Sequence, residues 1–176
     1  MGSPGIPLAV WVIVGAQVNV AFAASCRAGL IGLAGTPCGA GMSAHPTPEQ
    51  VAQLEYADLE RLKFSRRKAE YLIDAARAIV RGELDLEGLA EEPASLALER
   101  LGAVRGLGPW SVQYLLMRAY GFEDCAPAGD SALASALERF FELETRPDPE
   151  ETRSRMEPFA PQRSLATFHL WKTLSS

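Results

Sequence analysis

The stretch Leu101-Gly-Ala-Val-Arg-Gly-Leu-Gly-Pro-Trp110-Ser-Val-Gln-Tyr-Leu-Leu-Met-Arg-Ala-Tyr-Gly121, followed by Asp124-Cys-Ala-Pro-Ala-Gly-Asp130, decides how the chain is read. It predicts a short helix, a glycine turn, a second helix and an irregular loop that ends on a carboxylate. Gly106 and Gly108 flank Leu107, so the turn lacks a Cβ at two points and its amides can approach another molecule closely. Pro109 stands where the next helix opens, a position at which its missing N–H costs nothing. The free amides and the positive dipole end of that helix form a seat for a phosphate. Asp130 fits as the N-cap of a helix beginning at Ser131, where the dipole favours negative charge.

Outward from this stretch almost every segment reads as helix, and no alternating polar–apolar strand stands out. An apolar helix is expected over 8–33, bending near Gly15; Gly35-Thr-Pro-Cys-Gly-Ala-Gly-Met42 reads as a loop. Thr47-Pro48-Glu49-Gln50 carries a capping box, and Ser65 caps a helix with Ala69, Leu72, Ile73, Ala76 and Ile79-Val80 on one face. Glu92-Pro93 breaks the chain ahead of a helix over 95–101. Asp148-Pro149-Glu150-Glu151 opens a further helix with a capping box, and Pro161 opens the last, which ends in Phe168-His-Leu-Trp171. The fold class is all-α: a two-lobe helical domain over 8–176, with the hairpin at about 96–120, the Asp loop at about 121–131, and an irregular start over 1–7.

The chain has 176 residues, 48% of them apolar, which is enough for one domain with a real core. Its net charge of −5 argues at first against a nucleic-acid partner, but the charges are segregated. Residues 61–82 hold seven bases (Arg61, Lys63, Arg66, Arg67, Lys68, Arg77, Arg81) against Glu70 and Asp74, whereas 83–99 hold six acids and no base. An acidic protein can still present a basic face to DNA. Cys26, Cys38 and Cys125 are scattered, too few for an iron–sulfur cluster and without a disulfide framework, so a reduced cytoplasm is expected. With only His45 and His169 besides, zinc is not expected. The run Leu8-Ala-Val-Trp-Val-Ile-Val14 has no preceding lysine or arginine and reads as a buried helix rather than a signal peptide.

The hairpin resembles the helix-hairpin-helix of DNA base-excision glycosylases, and the Asp130 loop resembles their catalytic-aspartate loop. Within that superfamily the chain is most similar to the alkylated-base branch, bacterial 3-methyladenine DNA glycosylase II. The likeness rests on Val14-Gly-Ala-Gln-Val-Asn-Val-Ala-Phe-Ala-Ala24, Phe64-Ser-Arg-Arg-Lys68, the hairpin through Asp130, and His169-Leu-Trp171. The resemblance implies an enzyme that flips a damaged nucleotide from double-stranded DNA and hydrolyses its N-glycosidic bond, Asp130 being catalytic. It implies a base pocket of Trp110, Tyr114 and Trp171, whose ring faces attract a cationic purine. It implies phosphate binding by Gly106, Gly108 and Ser111, a gap-filling role for Gln17, and a monovalent cation on the carbonyls of Gly102, Val104 and Leu107. No redox or organic cofactor is required, and the expected state is a monomer away from membranes.

Other readings of the same residues are more ordinary. The three rings fit a plain core, the glycines fit a tight turn between packed helices, and Gln17 fits equally a polar residue satisfying backbone groups at a helix break. Arg66, Arg67 and Lys68 fit a solvated surface, although cations in a first helical turn oppose the dipole, which favours a phosphate partner. Asp124 reads as loop-shaping and His169 as structural. Glycosylases that also cut the backbone carry a lysine where Trp110 stands, so the enzyme is expected to be monofunctional. Ala16, where the family usually has Gln, and Ser131, where an aromatic is found, bear on substrate range rather than reaction type. The alternatives are a non-catalytic helix-hairpin-helix DNA-binding protein, or a glycosylase of another lesion specificity.

Overall fold

The computed structural model describes residues 12–13 and 20–174. Among them the regular secondary structure is helical apart from one small hairpin of strands, and the chain divides into two compact units. The first comprises the described residues up to Pro93 together with Ala103–Leu107; the second comprises Ala94–Gly102 and the described residues from Gly108 onward. The all-α, two-lobe expectation holds.

The first unit is built on α1 (Val20–Ala34), α2 (Pro48–Ala52), α3 (Tyr56–Arg61) and α4 (Arg66–Val80). Its cap signals were local and behave as expected. Thr47 accepts from the Gln50 amide while the Gln50 side chain accepts from the Thr47 amide, and Ser65 accepts from Lys68. Each such cap contributes ~1 kcal/mol to its helix. α4 buries Ala69, Leu72, Ile73 and Ala76, but Val80 is 49% exposed at its last position. Of the predicted first helix, Val12 and Ile13 are helical and buried, and α1 covers the C-terminal half. The stretch read as a loop contains a short antiparallel pair, β1 (Pro37–Gly39) and β2 (Met42–Ser43). Ala40 and Gly41 both have positive φ (51° and 72°), the conformation of a tight hairpin turn. All strand residues are exposed, so no apolar alternation marked them in the sequence.

The second unit contains α5 (Ala94–Gly102), α6 (Pro109–Ala119), α7 (Ser131–Phe140), α8 (Pro149–Met156) and α9 (Arg163–Thr173). Leu133, Ala136 and Leu137 of α7 pack with Met156 and Leu170, and Phe141, Phe159 and Trp171 close over them. Full burial of one such leucine contributes about 1.5–3 kcal/mol. The cap at Asp148 forms, but only half of the expected box does. Asp148 accepts from Glu150 and Glu151, while the Glu151 carboxylate turns to Arg155 at 3.0 Å. α9 starts two residues later than Pro161. Its leading amides are satisfied from the Asp130 loop, with Ser164 N–H donating to the Glu123 carbonyl at 2.9 Å.

α5 and α6 are the two arms of the predicted hairpin, and its loop belongs to the first unit. Gly106 has φ of +98°, and a Cβ there would lie 2.5 Å from ring atoms of Tyr71 on α4. The space left by the missing side chain is thus filled from within the chain. Arg105 lies over the same ring, 5.2 Å from its centroid, and pairs with Glu70 and Asp74 at 3.7 and 3.6 Å. No helix among the described residues is long and apolar enough to cross a membrane.

Candidate active site

Asp130 sits at the junction of the loop and α7. Gly129, with φ of +96°, makes the last bend before it, a conformation that side chains rarely adopt. Asp130 is the N-cap of α7, its Oδ1 accepting from Leu133 N–H at 2.7 Å. The same oxygen accepts from the Trp171 indole N–H at 3.0 Å, and Oδ2 accepts from the Trp110 indole N–H at 3.2 Å. The capping reading and the functional reading therefore fall on one carboxylate. The indole bonds were not foreseen, because they join residues 20 and 41 positions apart.

The three predicted rings do come together. Trp110 and Tyr114 have centroids 5.5 Å apart, Tyr114 and Trp171 6.0 Å, and all three are partly buried. Phe168 extends the row edge-on to Trp171 at 5.7 Å, with the Arg118 guanidinium 5.4 Å from its centroid. Its place three residues before Trp171, on the same helix face, was the one sequence signal for it. His169 is exposed and lines a separate concavity of about 580 Å³ with Phe140, Phe159, Leu165 and Leu170. Asp130, Trp110, Tyr114 and Trp171 do not line it.

The loop itself is clasped to the first turn of α9. Arg163 grips Asp124 in a fork, Nε to Oδ1 at 2.6 Å and Nη2 to Oδ2 at 2.7 Å. Ser164 Oγ donates to the Phe122 carbonyl at 2.6 Å and accepts from Cys125 N–H at 3.0 Å. From α6, Gln113 Oε1 accepts the Ala126 amide at 3.1 Å. Arg163, Ser164 and Gln113 carried no motif in the sequence; Asp124 shapes the loop as expected. The Arg163 fork holds the Asp124 carboxyl below the usual carboxylate range. A carboxyl depressed on folding stabilises the fold above its unfolded pKa of about 3.9, and this is lost as pH falls through the folded value. Asp124→Asn is therefore expected to lower the Tm at pH 7 by ~2–3 °C, since a partly exposed pair contributes ~1 kcal/mol. The difference between variant and parent should shrink in melting curves taken below about pH 4. A constant offset down to pH 2 would show that the charge is not what Asp124 contributes.

The three bases of the triplet have different surroundings. Arg66 pairs with Glu70 at 3.1 Å, Arg67 donates to the Tyr71 hydroxyl at 2.9 Å, and Lys68 is half-buried, its ammonium held below the usual lysine range by that burial. Gly108 is the N-cap of α6 in extended conformation, and Ser111 in the first turn is 4% exposed. Gly102 ends α5, and the Val104 carbonyl accepts the Leu107 amide at 3.0 Å. Gln17 and Ala16 lie outside the described residues.

A glycine hairpin between α5 and α6, leading into a loop whose last residue is a capping aspartate ringed by aromatics, defines a class of repair protein. The chain belongs to the HhH-GPD superfamily of base excision DNA repair proteins, whose model matches residues 10–162. Among its relatives are YfjP of Bacillus subtilis, 37% identical over 76% of this chain and 47% of that protein, and the DNA-3-methyladenine glycosylase of the same organism, 32% identical over 93% and 55%. The chain thus spans about half the length of these curated relatives. The 3-methyladenine DNA glycosylase of Schizosaccharomyces pombe, in complex with abasic DNA, has the same fold, with a TM-score of 0.85 at 23% identity over 98% of this chain and 81% of that one. So does an 8-oxoguanine glycosylase/lyase of Clostridium acetobutylicum, with a TM-score of 0.83 at 21% identity over 95% and 58%. One fold therefore serves proteins named for different lesions, and the site residues must distinguish them.

Proposed function

We propose that this chain is a monofunctional DNA glycosylase that flips an alkylated purine, 3-methyladenine or 7-methylguanine, out of duplex DNA and hydrolyses its N-glycosidic bond. The observation that carries this reading is the Asp130 carboxylate, anchored at a helix start against two tryptophans that flank Tyr114. Departure of the base leaves positive charge on the sugar. A fixed carboxylate stabilises that charge, or orients the attacking water, without reorganising at the moment of reaction. Alkylation has already made the purine cationic and a good leaving group, so no general acid is needed. Aromatic ring faces attract such a base by ~0.5–2 kcal/mol per contact. Relatives named for 3-methyladenine support the lesion class. Trp110 supports hydrolysis without strand cleavage, because it offers no amine for a Schiff base.

The partner in this reading is double-stranded DNA with alkylated bases, bound through the amides at Gly106 and Gly108, through Ser111, and through Arg66, Arg67 and Lys68, with Gln17 filling the gap left by the flipped base. The carbonyls of Gly102, Val104 and Leu107 would hold a monovalent cation. They are oxygen donors suited to it, and Val104 keeps a second lone pair beside its bond to Leu107. The cation would add positive charge beside the bound phosphate. No redox or organic cofactor and no iron–sulfur cluster takes part, and the protein works as a monomer in the bacterial cytoplasm.

The test is incubation with duplexes carrying each lesion, followed by identification of the free base and the DNA product. Release of 3-methyladenine or 7-methylguanine is expected, leaving an intact abasic strand, and borohydride should trap no protein–DNA adduct. An adduct lost on mutating one particular lysine would overturn monofunctionality. Tight DNA binding without release of any base would leave the non-catalytic module as the better account.

A further inference from the structure

We infer that Trp110 and Trp171 are positioning residues that orient Asp130 through their indole N–H groups, and that Oδ2 is the oxygen facing the reacting sugar or water. This rests on the glycosylase reading above, but what carries it is the hydrogen-bond geometry around one side chain. A carboxylate offers about four acceptor positions. Oδ1 is filled by Leu133 N–H at 2.7 Å and Trp171 Nε1–H at 3.0 Å. Among the described residues Oδ2 accepts only Trp110 Nε1–H, at 3.2 Å, which leaves its second position for the chemistry. The three donors come from α7, α9 and α6, so the carboxyl plane is fixed from three separate elements. Each tryptophan thus has two functions: its ring packs against Tyr114, and its edge holds the carboxylate. A substitution that removes the ring confounds the two, so the test must remove the N–H and keep an aromatic wall.

The variants are Trp110→Phe and Trp171→Phe, with benzothienylalanine at position 171 as the closer isostere, its sulfur replacing the N–H. Single-turnover excision should fall at least ~10-fold in each, equally for cationic 7-methylguanine and neutral hypoxanthine if both are substrates, while the Kd for duplex DNA changes little. Trp110→Phe should lose more, since it removes the one bond that the described residues make to Oδ2, whereas Leu133 still anchors Oδ1 without Trp171. The chain has three tryptophans and therefore three indole cross-peaks in a ¹H–¹⁵N spectrum. Asp130→Asn should move two of them in the free protein. A Trp171→Phe enzyme at full rate, or an Asp130→Asn spectrum with no indole peak displaced, would overturn the positioning role. The reverse order of the two Phe variants would overturn the Oδ2 assignment. Failure of the wild-type protein to release any base would instead strike the glycosylase reading, and the spectrum would still decide the geometry.

Discussion

Asp130→Asn should lower base excision by about two orders of magnitude or more, roughly 3 kcal/mol of transition-state stabilisation, while the protein stays folded. The fold survives because asparagine is as good an N-cap as aspartate, and its carbonyl can take over the Leu133 amide at the start of α7. The chemistry does not survive, for two reasons. The charge opposite the developing cation is gone. In addition, the new amide group turns its own N–H toward the Trp110 indole N–H, setting donor against donor where Oδ2 now accepts at 3.2 Å. DNA affinity should hold or tighten, because a carboxylate near phosphates is removed. Measured side by side, single-turnover excision should collapse while the Tm moves by no more than a few degrees. Excision within about tenfold of the parent, or ~1.4 kcal/mol, would remove Asp130 from the chemistry.

Gly106→Ala should be the most damaging small substitution in the hairpin. Its backbone has φ of +98°, and the added methyl would sit 2.5 Å from Tyr71 ring atoms and 2.7 Å from the Tyr71 Cβ. The left-handed backbone alone costs roughly 1–2 kcal/mol for a residue with a Cβ, and expelling the loop from Tyr71 adds to it. A total of ~3 kcal/mol would lower the Tm by about 6–12 °C in a chain of this size. Binding to duplex DNA should weaken as well, since the loop that presents the hairpin amides is displaced. Tyr71→Ala in the same chain removes the collision with the ring but leaves the 2.7 Å contact with Cβ and the backbone strain, so the double variant should recover part of the lost stability and not all of it. An unchanged melting curve for Gly106→Ala would mean that the loop rests on α4 less tightly than these distances require.

The local parts of this protein were legible in its sequence because their physics is local. Caps at Thr47, Ser65, Asp130 and Asp148 join residues two or three positions apart, and the buried face of α4 follows from helical periodicity over one segment. The hairpin could be read for the same reason: Gly106 and Gly108 next to Pro109 encode a backbone shape, whatever lies around them. Local signals also misled in places. β1 and β2 carry no buried face to betray them, Glu151 chose Arg155 over its own helix start, and Val80 continued an apolar pattern into solvent.

The sequence by itself determined an all-α chain, a helix-hairpin-helix, and a single aspartate at the head of a helix with aromatic residues at helical spacing near it. Only the tertiary structure decided what that aspartate touches. Its bonds to Trp110 and Trp171, and the Arg163–Asp124 and Ser164 clasp that ties the loop to α9, span 20 to 42 residues of chain. Arg66 and Arg67 meet Glu70 and Tyr71 within α4, whereas Glu70 and Asp74 also pair with Arg105 of the distant hairpin loop. Propensity and spacing act over a few residues. The direction of an indole N–H or a guanidinium is set by which distant segments pack together, and no pattern within either segment records it.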